Sequence, residues 1–250
     1  MPTTKSQLLP NESIQVFLDG FCFCTPTHQA FIVLSDLPNA PETALENKIK
    51  EGFASDQPAL IYFDQPAQFV PQTRFDQRHS ENYYKHYHRI PKGYALQDAK
   101  TTDQKHHLLY PVANQWADFF GKTLPNATPQ HYQHLLYTLA QTHSESVAKK
   151  QLYIHLQHGF FELFLFEAGQ LLFTNRFAQD KVDTFLYFLF YVVETLALDQ
   201  QNFDLLFLGK YSRFEAYYQG VANFHENLQY LYPNDNEPAL ALPAPFFSTL

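Results

Sequence analysis

The sequence predicts an α/β protein assembled from two βββαβ units, and three observations lead there. Between Gln151 and Gly209, three short β-forming stretches precede one strongly apolar helix and a continuous apolar strand. A weaker copy of that order runs from Ser13 to Phe63. The two stretches also keep step: Gly159 matches Gly20, Phe160 matches Phe21, and Phe203 to Leu208 match Ala59 to Phe63. A unit recurring in order and spacing marks an internal repeat, and the chain divides into residues 1-123 and 124-250.

In the first unit, Ser13 to Asp19 alternates, with Ile14, Val16 and Leu18 on one face and Gln15, Phe17 and Asp19 on the other. That is the period of a strand. Gly20 permits a tight turn. Phe21 to Thr25 forms a second strand, Pro26 to Gln29 turns, and Ala30 to Ser35 completes a meander. Pro41 opens a helix, because its ring presets the first helical turn, with Asn39 or Ala40 near the cap. The helix runs through Leu45 and Ile49 to about Phe53 and is broken by Asp56 to Pro58. Ala59 to Phe63 is apolar without alternation, as in a strand covered on both faces and parallel to a neighbour.

Between the units, Gln65 to Arg78 reads as a loop carrying Pro66 and Pro71, and Ser80 to His88 as a short helix dense in Tyr and His. Lys105 to Pro111 reads as a strand, and Val112 to Phe120 as a helix bearing the single Trp116. Leu124 to Thr128 is a hinge, and Thr128 or Pro129 starts a helix that ends near His143. In the second unit the strands are Leu152 to Gln157, Phe160 to Phe166 and Leu171 to Phe177. The helix is Lys181 to Leu198 and the last strand Phe203 to Leu208. A helix from Ser212 to Val221, a strand at Asn227 to Tyr232 and a proline-bearing tail from Pro233 to Leu250 follow.

A hydrophobic content of 45% against 17% charged residues excludes a disordered chain. Phe 25 and Tyr 16 against Met 1 predict an aromatic core. The net charge of -8 argues against a broad basic face for nucleic acid. The longest apolar run, Phe185 to Val193, is too short to span a bilayer and reads as a helix buried on most sides. Residues Met1 to Glu12 show no signal-peptide pattern. Cys22 and Cys24 lie i, i+2 on one strand face, where a disulfide would be strained. Two reduced, buried thiols in a cytoplasmic protein are expected instead.

Several stretches carry a resemblance: SIQVFLDGFCFC at Ser13 to Cys24, FVPQTRF at Phe69 to Phe75, LLFTNRF at Leu171 to Phe177, DTFLYFLFYVVETLAL at Asp183 to Leu198 and LLFLGKYS at Leu205 to Ser212. With their spacing they cover most of the chain. They resemble a bacterial family of actin-like proteins, distantly similar to the actin-like protein of type IV pilus assembly. The resemblance implies an actin-like ATPase arrangement of two ribonuclease H-like βββαβα units. At 250 residues the extra subdomains would be reduced.

That resemblance also implies where ATP and magnesium would sit. Each half of such a protein offers a strand-turn-strand hairpin whose glycines let backbone N–H groups approach phosphate and whose aspartate positions metal or water. Asp19 and Gly20 match the start of that pattern, but Phe21 and Cys22 replace the small hydroxyl residues and second glycine. The second hairpin, Gln157-His158-Gly159-Phe160, has no aspartate, and the adenosine turn is reduced to Gly209-Lys210. Asp19, Gly20, Gly159, Gly209 and Lys210 are the candidate cofactor-binding set, with Asp19 the candidate catalytic residue. With these motifs degenerate, the first expectation is a non-catalytic scaffold or assembly protein that binds a protein partner. An atypical ATP-binding protein is the alternative.

A third reading, a metal-dependent nuclease, would gather Asp19, Glu46 and Asp64, with Asp118 as a fourth. Histidines invite a metal site at His86 and His88, His106 and His107, or His131 and His134, the last pair sharing a helix face. No cysteine or carboxylate pattern completes a zinc set. The Tyr83 to His88 cluster reads as a surface patch, Tyr and His being common at interfaces.

Overall fold

The computed structural model describes residues 12–25, 29–37, 41–52, 58–157, 159–199, 201–210, 212–225 and 228–231. The expected turn at Pro26, the cap at Asn39 or Ala40, the helix end at Phe53, the break at Asp56, His158 of the second hairpin and the tail from Pro233 lie outside these residues. The chain divides into two compact units, Met1–Leu136 and Tyr137–Leu250.

In the first unit the strands are β1 (Ser13–Val16), β2 (Gly20–Cys24), β3 (Gln29–Val33) and β4 (Ala59–Tyr62), with helix α1 (Pro41–Gly52) before β4. Next come β5 (Gln68–Pro71), α2 (Ser80–Lys85), β6 (Tyr94–Lys100), β7 (His106–Ala113), α3 (Asn114–Thr123) and β8 (Thr128–His131). The main sheet has the order β3-β2-β1-β4-β8. The first three strands pair antiparallel, and β1, β4 and β8 pair parallel. A separate antiparallel sheet has the order β5-β7-β6.

Helix α4 (Tyr132–Ser144) contains the division between the units. Then follow β9 (Lys150–Gln157), β10 (Phe160–Glu167), β11 (Gln170–Ala178), α5 (Val182–Thr195), β12 (Phe203–Leu208), α6 (Glu215–Ala222) and β13 (Leu228–Leu231). The sheet order β11-β10-β9-β12-β13 repeats that of the first unit strand for strand, with the same pairing sense. This is the mixed α/β architecture that the sequence predicts.

The differences from expectation are local. Thr128-Pro129 imitates a helix cap and first turn but forms β8, the edge of the main sheet. There a proline costs no ladder bond if its nitrogen faces outward. The helix starts at Tyr132, so His131 and His134 do not share a helix. Val112 belongs to β7, and α3 starts at Asn114. The expected loop at Gln65 to Arg78 contains β5, paired to β7 from Gln68↔Leu109 to Pro71↔His106. β6 escaped detection because its exposed and half-buried positions follow no clean alternation.

The cores are aromatic, as the composition suggests. In the first unit, the Phe21 ring meets Trp116 edge-on at 4.7 Å and Phe120 at 5.9 Å, so α3 covers one face of the main sheet. In the second, Leu152, Ile154, Leu163 and Phe207 from the sheet pack with Phe185 and Leu189 of α5 and Val221 of α6. Phe161 and Phe185 are T-shaped at 4.8 Å, an arrangement contributing about 0.5–1.5 kcal/mol beyond area burial. Among the described residues no helix is long and apolar enough to cross a membrane.

Candidate functional site

In each unit the candidate nucleotide residues fall at the end of the sheet where the parallel strands terminate, the edge at which open α/β sheets bind ligands. Asp19 and Gly20 follow β1, and Asp64 follows the neighbouring β4. Gly159 follows β9, and Gly209-Lys210 follow the neighbouring β12.

Several backbone groups at these positions already pair within their own unit: the carbonyls of Asp19, Gly20 and Gly159, and both the N–H and the carbonyl of Gly209. The Phe17 N–H donates to the Gly20 carbonyl at 2.9 Å, and the Leu34 N–H to the Asp19 carbonyl at 2.8 Å. Gly20 is glycine because β3 passes against it: a Cβ there would lie 2.3 Å from the Ile32 carbonyl oxygen. Gly159 has φ +81 in open space, so it answers to turn conformation alone, and its carbonyl accepts from the Gln179 N–H at 2.9 Å. Gly209 has φ 102. Its N–H donates to Leu231 at 3.0 Å and its carbonyl accepts from the Tyr218 hydroxyl at 3.4 Å. The Lys210 ammonium sits 5.1 Å from the Tyr230 ring centroid, a cation–π contact. The Asp19 side chain is exposed.

The nuclease quartet does not converge. Glu46 is paired along α1 with Lys50 at 2.6 Å, and Asp118 is exposed on α3. Among the described residues no three His, Cys, Asp or Glu side chains are grouped to hold a metal ion. Asp64 is the unusual carboxyl. Burial pushes its pKa up to about 6, opposed by a hydrogen bond from Tyr94. Among the described residues its Oδ1 is buried without a hydrogen-bond partner.

Two of the candidate histidines take structural roles. His107 lies between Asp98, with Nδ1 to Oδ1 at 2.7 Å, and Gln72, with Nε2 to Oε1 at 2.9 Å, under the Phe75 ring at 3.6 Å. His131 Nε2 is 2.8 Å from the Gln65 carbonyl. The Tyr83 to His88 cluster splits. Tyr84 is buried and its hydroxyl donates to Pro66, whereas His86 and Tyr87 are exposed. Cys22 and Cys24 are both buried and free, with their sulfurs 3.6 Å apart. The hydrogen bond with Cys24, together with burial, pushes the Cys22 thiol up.

Sequence reasoning missed a groove on α5. The run Phe185 to Val193 reads as buried on most sides, yet Tyr187 is 64% exposed, Tyr191 54% and Phe224, just after α6, 57%. The groove they line measures about 400 Å³, with Leu186 and Phe190 in its floor and Asp183 and Glu194 at its rim. The available signal was two tyrosines four residues apart within a run of Phe and Leu: amphipathic rings on one helix stripe.

Two sheets of the order 3-2-1-4-5, each with its crossover helices, define a protein of the actin-like ATPase fold. The chain is similar to a Bacteroides thetaiotaomicron VPI-5482 protein with actin-like ATPase fold and unknown function. The two are 19% identical, with a TM-score of 0.72 over 94% of this chain and 95% of that one. Residues 11–228 match the model of DUF3822, a protein of unknown function, and the chain belongs to that family. More distant likenesses are the PilM-PilN type IV pilus biogenesis complex, at 12% identity and TM-score 0.48 over 93% of this chain and 90% of that chain, and the ethanolamine utilization protein EutJ from Carboxydothermus hydrogenoformans, at 8% and 0.44 over 95% and 89%. No curated protein matches the chain.

Proposed function

We propose that the protein is a non-catalytic, cytoplasmic member of the actin-like fold, built of two duplicated ribonuclease H-like units, that serves assembly by holding a protein partner. The observation that carries this reading is Gly20. A phosphate hairpin uses its glycines to bring open backbone N–H groups against oxygen. Here the glycine accommodates the Ile32 carbonyl 2.3 Å from where a Cβ would stand. The engaged Gly209 N–H and the Lys210 contact with Tyr230 support the same reading. The two free, buried cysteines agree with a reducing compartment.

The rival, an atypical ATP-binding protein, rests on the exposed Asp19 carboxylate at the end of β1. A thermal-shift titration of the full chain decides between them, because a ligand of the folded state must raise Tm by mass action. We expect no shift at millimolar ATP with magnesium. A saturable, magnesium-dependent rise that Asp19→Ala abolishes would overturn the proposal and establish the rival.

A further inference from the structure

The outer stripe of α5 runs Asp183, Tyr187, Tyr191, Glu194, all exposed. At 1.5 Å per residue it is about 16 Å long, or three helical turns. The inner face of the helix is spent: Phe185, Leu189, Val192 and Val193 are buried in the core. At Gly220 the neighbouring α6 comes so close that an added Cβ would lie 3.1 Å from Leu186 and 3.2 Å from Val182. Beyond that approach Phe224 stands opposite α5, its ring 5.3 Å from Phe190, and closes the second wall of the groove. Tyr187 and Tyr191 stack at 6.3 Å with 19° between their planes, a preformed aromatic ledge. A helix this apolar is ordinarily covered on most sides, and the described residues leave this stripe uncovered.

Charge decides what covers it. The groove carries a carboxylate at each end, Asp183 and Glu194, and no cation among its lining residues. The chain beyond the last described strand, residues 232–250, contains Asp235 and Glu237 and no Lys or Arg, so it would add acid to an acidic rim. A two-fold contact between copies places the same patch on itself and would set carboxylate against carboxylate. Lys or Arg flanking an apolar spine satisfies both features.

We propose that this groove is the docking site for the partner in the assembly reading, and that the partner presents an amphipathic helix of about three turns. Its apolar side chains at i, i+4 and i+7 lie against Tyr187, Tyr191 and Phe224. Its Lys or Arg residues at the two ends meet Asp183 and Glu194. Such helix-in-groove docking uses apolar anchors for affinity and rim charges for register and partner choice. The inference rests on the assembly reading, but it is tested separately from nucleotide binding.

The probes are two fluorescein-labelled synthetic helical peptides with one leucine spine, one carrying lysines at both ends and the other glutamates. Fluorescence anisotropy is read with the full chain and with Tyr187→Ser/Tyr191→Ser and Asp183→Asn/Glu194→Gln. Both variants change exposed positions, and an unchanged Tm certifies their folding. We expect the lysine-ended peptide to bind at least tenfold tighter than the glutamate-ended one. The tyrosine variant should lose at least tenfold, and the carboxylate variant should lose the preference between peptides. Equal binding of the two peptides, binding untouched by the tyrosine variant, or no binding overturns the docking site. So does a dimer in sedimentation velocity that the tyrosine variant dissolves, or peptide binding that appears only after residues 232–250 are deleted. A nucleotide-dependent Tm shift with tight peptide binding would instead remove the non-catalytic reading and leave the docking site standing.

Discussion

His155 Nδ1 lies 3.0 Å from Glu162 Oε2, and neither side chain has any exposure. The two residues face each other across β9 and β10, as Gln15 and Cys22 do across β1 and β2. The second hairpin therefore carries a buried cross-strand His–Glu pair, whereas in the first the Gln15 amide donates not to Cys22 but to the Cys24 Sγ at 3.4 Å. Burying such a pair is tolerable while both partners are present and costly when one is lost. We expect Glu162→Leu alone to lower unfolding free energy by about 3–5 kcal/mol. His155→Leu/Glu162→Leu should cost clearly less than the sum of the single changes. Urea denaturation of the three variants measures the coupling, and simple additivity would show that the pair is not a unit.

Gly20 and Gly159 head equivalent hairpins, but their glycines answer to different constraints. At Gly20 an added methyl strikes a backbone carbonyl of the adjacent strand, which cannot swing aside. At Gly159 there is room, and only the left-handed φ is unfavourable. We expect Gly20→Ala to destabilise by upwards of about 3 kcal/mol, at or beyond the usual overpacking range, and Gly159→Ala by about 1–2 kcal/mol. Equal losses in thermal unfolding would remove the packing explanation for Gly20.

Helix α5 ends in a Schellman arrangement: the Leu198 N–H donates to Val193 at 2.9 Å and the Ala197 N–H to Glu194 at 3.0 Å. The residue after the cap is left-handed, with φ 48, and it is alanine where glycine is usual. Ala197→Gly should raise stability by about 1 kcal/mol, since the left-handed penalty on Cβ exceeds the entropy that glycine adds to the unfolded chain. An unchanged or lower urea midpoint would contradict this. Because Ala197 carries no stop signal, the sequence extends the helix to Leu198, three residues beyond the observed Thr195.

That helix end illustrates what local sequence carries. Strands β9, β10 and β12 were legible nearly to the residue, because dense apolar runs bounded by Gly159 and Gly209 admit little else. β8 was not, since Thr-Pro serves equally as a helix start and as an edge strand, and only pairing to β4 distinguishes them. Candidate site positions at Asp19, Gly20, Gly159 and Gly209 were legible as hairpin and strand ends. The reason for Gly20 was not, because the Ile32 carbonyl reaches it from another strand. The α5 groove was hidden by counting tyrosine as apolar: its ring lies on the helix while its hydroxyl faces water.

Asp64 gives the protein a pH dependence whose sign can be worked out. Burial lifts its folded pKa from 3.8 to about 6. Between those values the native state holds the proton more tightly than the unfolded chain, so stability falls as pH rises. The cost is absent below about pH 4 and fully present above about pH 6, on the order of 2–3 kcal/mol at about 1.4 kcal/mol per unit. Asp64→Asn should flatten that segment of the stability profile and leave the variant more stable than the natural chain at pH 7. Tyr94→Phe removes the hydroxyl that favours the carboxylate and should push the Asp64 pKa higher still, extending the decline to higher pH. Urea denaturation from pH 4 to pH 8 checks both. Parallel profiles for the natural chain and Asp64→Asn would mean that the carboxyl titrates at its ordinary value and that the space beside Oδ1 is wet.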